Sequence, residues 1–283
     1  MTAGDESDLV RRGYDALSYH YRGDDAGEDR YAPWLAELRA RLPAGASVLD
    51  LGCGNGVPVA RSLAAAGYQV TGVDISDVQI ERARRLVPAG TFIRADATAI
   101  EFPTRSFDAV VCLYALIHMP LAAQPGLLRR AAGWLRPAGW LLAVTGHSAW
   151  TGTEGNWLGG PAPMWWSQAD AGTYRSWLEQ AGLQVTAQEF VPEGDGGHEL
   201  FWARRPLADQ RAFLTPEPAR GYPGRRLRPG RARRSRCASA TPGWSRSGPR
   251  AGLVEPPTRQ VLEVVVPAAF RGQVALASPA PWS

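Results

Sequence analysis

One short stretch constrains the fold of this chain more than any other. An apolar run ends in an acid and passes directly into a turn with three glycines, Val48-Leu49-Asp50-Leu51-Gly52-Cys53-Gly54-Asn55-Gly56. A strand that leads into such a turn brings bare backbone close to a ligand at the carboxyl edge of a sheet. The dinucleotide-binding pattern G-x-G-x-x-G would need glycine at position 57, where the chain has Val57. The spacing therefore argues against a nicotinamide-dependent oxidoreductase.

The position of the third glycine, together with Asp50, resembles motif I of the class I S-adenosylmethionine (SAM)-dependent methyltransferases of the small-molecule type. Later segments match that family in order and spacing, and the similarity covers about residues 10–204. A second strand ends at Asp74, 22 residues after Gly52, and a third is followed by Asp96. The resemblance implies that Asp74 binds the ribose hydroxyls and that Asp96 binds the adenine amino group.

The family's fourth and fifth strands correspond to residues 106–113 and to the segment that follows residues 135–139. The turn into the fifth strand departs from the usual pattern, because Ala138 replaces the first of two glycines. Gly139 is therefore expected to supply the positive φ of that turn.

The resemblance implies SAM as the cofactor and a set of residues that bind it. From the strand ends and the glycine-rich turn these are Asp50, Gly52, Cys53, Gly54, Asn55, Asp74, Ile75, Asp96, Ala97 and Leu113. In this family an N-terminal helix folds over SAM as a lid. Tyr14 and Tyr21 are seven residues apart on that predicted helix and share one face, so we expect contact with the methionine end of SAM.

Alternating strand and helix patterns predict an α/β fold with a doubly wound, mostly parallel sheet of seven strands. The family order is 3-2-1-4-5-7-6, with a closing antiparallel hairpin. Strands are expected near 47–51, 69–74, 91–94, 107–113, 140–145, 183–190 and 199–204, and helices near 9–21, 32–41, 57–66, 76–86, 124–135 and 170–181. Residues 1–45 would form the helical lid of a methyltransferase domain that covers residues 1–205.

Residues 206–283 differ from the rest in composition, with 13 arginines against four acids, and all 31 basic residues of the chain are arginine. A segment so rich in Arg, Pro and Ala cannot bury enough apolar surface, so a disordered extension is expected. Three accounts of it stay open: an anion- or nucleic-acid-binding tail, an inert extension, or the product of out-of-frame reading. Residues 1–205 carry a net negative charge.

Compartment and metal content follow from the cysteines and from the hydropathy pattern. Cys53, Cys112 and Cys237 have no paired or metal-like spacing, so we expect a reduced cytoplasmic protein without a metal site. The acidic N-terminus lacks the apolar region of a signal peptide, and no stretch is long and apolar enough to cross a membrane.

Methyl transfer from SAM mainly requires that the acceptor be held in line with an already activated methyl group. His118, after the fourth strand, is the best candidate for a base or a positioning group, although a helix-start histidine that only packs against the cofactor has the same pattern. His147 is a second catalytic candidate, and His198 is expected in a turn before the last strand. Trp165 and Trp166 would either cover the acceptor or form a small core under a long loop.

These features predict an enzyme that methylates an oxygen, nitrogen or carbon atom of a small-molecule metabolite. A nucleic-acid methyltransferase is the first alternative, but the acidic body and the lack of a D/N/S-P-P-Y/F motif argue against it. A non-catalytic SAM-binding protein is the second. The oligomeric state and the acceptor are not predicted.

Overall fold

A computed structural model of the chain describes residues 2–207. Six α-helices lie in this range: α1 (Ala3–Tyr21), α2 (Ala32–Arg41), α3 (Val59–Ala65), α4 (Asp77–Leu86), α5 (Gln124–Trp134) and α6 (Ala171–Gln180). The strands are β1 (Ser47–Leu51), β2 (Gln69–Asp74), β3 (Thr91–Arg94), β4 (Phe107–Cys112), β5 (Leu135–Gly146), β6 (Trp150–Glu154), β7 (Met164–Gln168), β8 (Gln184–Glu193) and β9 (Gly196–Arg204). The predicted disorder of residues 208–283 lies outside the described residues.

The main sheet has seven strands in the order β3-β2-β1-β4-β5-β9-β8. The first five are parallel, and β9 pairs antiparallel with both β5 and β8. Strands β6 and β7 form a separate hairpin, so the order of the other seven is the predicted 3-2-1-4-5-7-6. The carboxyl ends of β1, β2, β3 and β4 meet at one edge, which is where such sheets bind ligands.

Helices cover both faces of the sheet, so the central strands β1 and β4 and the second half of β5 are buried almost throughout. Trp134 and Tyr174 are fully buried in the core under α5 and α6. On the opposite face, Leu35 and Trp202 are buried in the core beneath α2, α3 and α4. Within residues 2–207 no helix is long and apolar enough to span a bilayer.

Helix α1 begins at Ala3, six residues before the predicted start at Leu9. The sequence signal that was missed is a capping box: the Asp5 N–H donates to Thr2 Oγ1 at 3.3 Å, and the Thr2 N–H donates to Asp5 Oδ2 at 2.8 Å. These two bonds satisfy backbone groups at the helix start and extend the helix over an acidic, polar segment.

Two predictions about loops are wrong. Ala138, not Gly139, adopts the positive φ of 66° in the β5 turn, while a Cβ at Gly139 would lie only 2.8 Å from the Arg136 carbonyl oxygen. Strands β8 and β9 also extend further than expected, so the predicted connection at 191–198 shrinks to a turn at residues 194–195. His198 consequently lies in β9, paired with Val191 and Gly146, and not in a turn.

Candidate active site

The glycine-rich turn after β1 is shaped by close contact on one side and open space on the other. Gly52 has a φ of 72°, and a Cβ there would lie 2.2 Å from the Ala115 Cβ. Gly54 has a φ of 54°, and within the described residues a Cβ there would meet nothing within 4 Å. The Gly54 N–H donates to Asp74 Oδ2 at 2.9 Å. The turn is therefore fixed to the end of β2 and leaves room beside Gly54.

Two carboxyl groups lie next to this turn at the carboxyl ends of β1 and β2. Burial and, to a smaller extent, the nearby Asp74 together raise the pKa of Asp50 to about 7. Burial also raises the pKa of Asp74 to about 6, although the N–H groups of Ser76 and Gly54 oppose this shift. Asp50 Oδ2 is buried and, among residues 2–207, has no hydrogen-bond partner. Both groups would gain from a ligand that donates hydrogen bonds or carries positive charge.

An inner cavity lies against the ends of the first four strands. Most of the predicted cofactor residues line it: Tyr14, Tyr21, Gly52, Gly54, Asp74, Ile75, Asp96, Ala97 and Leu113. Asp96 Oδ1 accepts hydrogen bonds from the Thr98 N–H and hydroxyl, both at 2.7 Å, which orients the carboxylate. The structure therefore brings residues from α1 and from four strand ends to one place.

The remaining predicted cofactor residues, Asp50, Cys53 and Asn55, line an adjoining loop cavity together with Tyr21. Asn55 Oδ1 accepts a hydrogen bond from the Val57 N–H at 3.2 Å, so this side chain stabilises the turn itself. Burial raises the pKa of the Cys53 thiol well above its usual range, which keeps the sulfur neutral and unreactive.

A larger outer cavity of about 420 Å³ opens from the inner one. One wall is aromatic and apolar and includes Trp157, Trp166 and Ile117. Another wall, called the polar wall here, is formed by Arg22, Asp29, Arg30, Tyr31, Tyr114, Glu193 and His198. Tyr14, Tyr21, Tyr114 and His118 line both the inner and the outer cavity, so these four side chains mark the boundary between them.

His118 is buried at that boundary, in the short helical turn that follows β4. Its Nδ1 lies 2.8 Å from the Trp165 carbonyl oxygen, which can only accept, so Nδ1 carries the proton and Nε2 carries a lone pair. Burial lowers the pKa of His118 to about 4, so the ring is neutral at pH 7. Its ring packs against Trp166 at a centroid distance of 4.3 Å.

The segment that contains Trp157, Trp165 and Trp166 forms the β6–β7 hairpin in the structure and not a long loop. Some of its side chains form a small core and others line the outer cavity. Trp157 and Met164 are buried with Val10 and Leu17 of α1 in a small core. Trp166 lines the outer cavity, whereas Trp165 does not, and it contributes its carbonyl oxygen to His118 instead. The prediction of Trp165 as a substrate contact therefore finds no support in its position.

His147 lies away from these cavities. Its Nδ1 is 2.7 Å from Glu199 Oε1, and its ring packs against Phe190. It lines none of the inner, loop and outer cavities. The catalytic role predicted for His147 therefore finds no support in the lining of these three cavities.

Sequence reasoning missed four residues of the polar wall. Tyr114 has a φ of 62°, an unusual value for a non-glycine residue and one that often marks a functional position. Its hydroxyl accepts from Arg30 Nη1 at 3.1 Å, and Arg30 Nη1 also lies 3.3 Å from Glu193 Oε2. His198 packs edge-on against Tyr114. Arg30, Tyr114 and the Glu193–His198 pair come from three distant parts of the chain. The pair itself would have been predicted only if the turn of the last hairpin had been placed at residues 194–195.

Comparisons with known proteins agree with this geometry. A family model described as a methyltransferase domain matches residues 21–188. The chain is 36% identical over 152 residues to the 27-O-demethylrifamycin SV methyltransferase of Amycolatopsis mediterranei. The aligned region covers 46% of this chain and 55% of that protein. It is 34% identical over 118 residues to the ubiquinone biosynthesis O-methyltransferase of Bordetella bronchiseptica, covering 40% of this chain and 47% of that protein. The chain thus spans about half the length of these relatives.

Among solved structures, the magnesium protoporphyrin IX methyltransferase of Synechocystis, crystallised with bound S-adenosylhomocysteine (SAH), superposes with a TM-score of 0.57. The match has 21% sequence identity and covers 71% of this chain and all of that one, so it is evidence for the fold alone. The family model, in contrast, covers more than half of the sequence. By sequence and by fold, the chain belongs to the SAM-dependent methyltransferase family, whose cofactor is S-adenosylmethionine.

Proposed function

We propose that this chain transfers the methyl group of SAM to an oxygen or nitrogen atom of a flat small molecule held in the outer cavity. The observation that carries the proposal is the boundary between the cavities, where Tyr14, Tyr21, Tyr114 and His118 face both. Methyl transfer needs two ligands that meet end to end in a dry place, and aromatic side chains exclude water there.

The residues around the inner cavity fit SAM. Asp50 Oδ2 has no hydrogen-bond partner among the described residues, and the pKa of Asp74 is raised, so both carboxyl groups favour a ligand with many hydrogen-bond donors. SAM has such donors in the two hydroxyl groups of its ribose and in its ammonium group. The open side of Gly54 leaves space for a ligand against bare backbone. When bound, SAM supplies an electrophilic methyl group on a sulfonium. We assign its ribose to Asp74, its adenine to Asp96 and Ala97, and its methionine end to the loop cavity.

His118 binds the acceptor in this proposal. Since its Nδ1–H is bonded to the Trp165 carbonyl oxygen, its Nε2 lone pair is available to a hydroxyl or amino group of the acceptor. The low pKa makes it a weak base, so its main effect is to orient the nucleophile. Trp157 and Trp166 pack against the flat part of the molecule.

Calorimetric titration of the full chain with SAM and, separately, with NADH tests the cofactor assignment. Micromolar SAM binding without NADH binding is the expected result, and the reverse would overturn the proposal. Transfer is then measured with methyl-labelled SAM and a set of phenols and aromatic amines. His118→Ala should lower turnover far more than SAM affinity. An equal loss in both would make His118 a cofactor contact.

A further inference from the structure

Strand β7 contacts the short helical turn that carries His118, Leu116–His118, through its outer edge. The β6–β7 hairpin is a two-stranded sheet, so within residues 2–207 this edge of β7 has no strand partner. The Trp165 carbonyl oxygen lies 2.8 Å from His118 Nδ1 instead. The Ser167 carbonyl oxygen accepts from Gln124 Nε2 at 2.6 Å. A carbonyl group that is shielded from water needs such a donor, so two side chains take the place of a third strand.

Gln124, the first residue of α5, is fully buried and joins β7 to the backbone around His118. Besides the Ser167 oxygen, its Nε2 lies 2.9 Å from the Leu116 carbonyl oxygen and 2.8 Å from the Met119 carbonyl oxygen. The two N–H groups of the carboxamide are shared among these three oxygens. Leu116 and Met119 come before and after His118 in the chain, so one side chain fixes the backbone on both sides of the histidine to β7.

Tyr174 of α6 orients the Gln124 carboxamide. The Tyr174 hydroxyl donates to Gln124 Oε1 at 2.7 Å and accepts from the Ala169 N–H at 3.4 Å. Because Oε1 accepts from this hydroxyl, Nε2 has to face the carbonyl oxygens. Neither Gln124 nor Tyr174 lines the inner, loop or outer cavity. An effect of either residue on the acceptor is therefore expected to pass through the backbone that they hold.

We infer that Gln124 is a positioning residue for His118, and that Tyr174 acts through Gln124. By fixing the turn to β7, the carboxamide keeps the Trp165 carbonyl oxygen on Nδ1 and leaves the Nε2 lone pair for the acceptor. The tautomer of a neutral histidine is set by the hydrogen bond of its other nitrogen, so a shift of β7 would free the ring. The inference rests on the proposed function for the role of His118 at the acceptor, and it adds the residues that hold this ring in place.

Nitrogen NMR of the ligand-free full chain, labelled at histidine, tests the inference at pH 7. In the wild type His118 should have a protonated Nδ1 and an unprotonated Nε2, and His118→Gln assigns these resonances by their loss. Gln124→Met keeps the length of the side chain but removes its donors, so the other tautomer should become populated. Tyr174→Phe should give a smaller shift in the same direction. It should add nothing to the shift of Gln124→Met when the two changes are combined.

Gln79→Met is the matched control, because it removes a buried carboxamide that accepts from Ser18 Oγ of α1 at 2.8 Å. It should leave the His118 resonances unchanged. Unchanged His118 resonances in Gln124→Met would overturn the inference, as would an equal shift in Gln79→Met. If Gln124→Met does not fold, Tyr174→Phe decides in its place, since this variant keeps the aromatic ring in the core.

Kinetics separates a positioning role from a general loss of structure. With an acceptor that the wild type methylates, Gln124→Met should lower kcat/KM for the acceptor about tenfold, because a misplaced group loses its alignment, and should leave SAH affinity unchanged. In the His118→Gln background the same change should have no further effect on kcat/KM. A further tenfold loss there would overturn the inference. A tautomer shift as expected, together with turnover that does not depend on His118, would instead contradict the proposed function.

Discussion

At the scale of single residues, two carboxyl groups dominate the electrostatics of the proposed cofactor site. Asp50 and Asp74 end neighbouring strands, and each has its pKa raised by burial. Buried carboxyl groups with raised pKa values are common at ligand-binding sites, where they lower the stability of the ligand-free protein. The raised pKa values should therefore make the stability of the ligand-free protein depend on pH.

The stability of the ligand-free chain should fall as the pH rises from about 4 to about 7. The folded state holds a proton on Asp50 up to a pKa of about 7, whereas the unfolded state releases it near the ordinary value of 3.8. Stability from this group is therefore complete below pH 4 and is lost as the pH rises through 7. Asp50→Asn should be more stable than wild type by about 2–4 kcal/mol at pH 8.

Urea unfolding at a series of pH values measures this difference. The exposed Asp195→Asn is the control, and it should follow the wild-type curve. Equal pH curves for wild type and Asp50→Asn would show that Asp50 is not desolvated in the folded chain.

Asp74→Ala should weaken SAM binding by about 1–3 kcal/mol, the usual effect of removing a charged hydrogen-bond partner. Its Oδ2 also holds the Gly54 N–H, so both the ribose contact and the turn are affected. Calorimetry gives the affinity, with Asp77→Ala on the exposed start of α4 as control. Unchanged affinity would place the ribose elsewhere.

Ala138→Gly should raise the free energy of unfolding by about 0.5–1 kcal/mol, because glycine adopts a positive φ without the steric cost that alanine bears there. Gly139→Ala should have the opposite effect, since its Cβ would lie 3.0 Å from the Asp108 carbonyl oxygen. Thermal unfolding of the two single variants compares them directly. Stabilisation by Gly139→Ala would contradict the observed turn.

At the scale of elements, α1 forms part of the inner cavity, which Ser7, Val10, Tyr14 and Tyr21 of this helix line. Buried Arg82 of α4 holds α1 in place by donating to Ser18 Oγ at 2.7 Å and by pairing with Asp24 at 2.6 Å. The opposite side of α1 packs against β7.

Gly13 sets the distance between α1 and the β6–β7 hairpin. A Cβ there would lie 2.8 Å from Met164 Cε and 3.0 Å from the Pro163 carbonyl oxygen. Gly13→Val should therefore destabilise the chain by about 1–3 kcal/mol more than Gly4→Val, which adds the same side chain at an open position of the same helix. Denaturant unfolding of both variants is the measurement. Equal losses would mean that α1 does not pack closely on the hairpin.

At the scale of the whole molecule, the charge is divided between an acidic domain and an arginine-rich extension. The sheet ends with Arg205, whose backbone pairs with Ala138 and Gly139 and whose side chain donates to the Ala132, Gly133 and Leu135 carbonyl oxygens. A chain that ends after Leu207 keeps all of these bonds. It should fold and bind SAM with full-length affinity, as circular dichroism and calorimetry would show. Loss of either property would contradict the predicted boundary near residue 205.

The sequence by itself determined the sheet order and most of the residues that line the inner cavity, because local signals encode both. Strand ends followed by Asp50, Asp74 and Asp96 meet at one edge whenever parallel strands alternate with helices, whatever the details of packing. The glycine-rich turn is equally local. His118 was identified for the same reason, since it directly follows β4.

Only the tertiary structure decided what lines the outer cavity. Three distant parts of the chain contribute Arg30, Tyr114, Glu193 and His198, which contact one another in the structure. Their meeting depends on the register of the β8–β9 hairpin, which would change if the turn were shifted by one residue. His147 shows the converse, because a promising position in the sequence points to Glu199 and not into the cavity. Side-chain direction at the ends of strands depends on packing between distant segments, and a local pattern does not encode it.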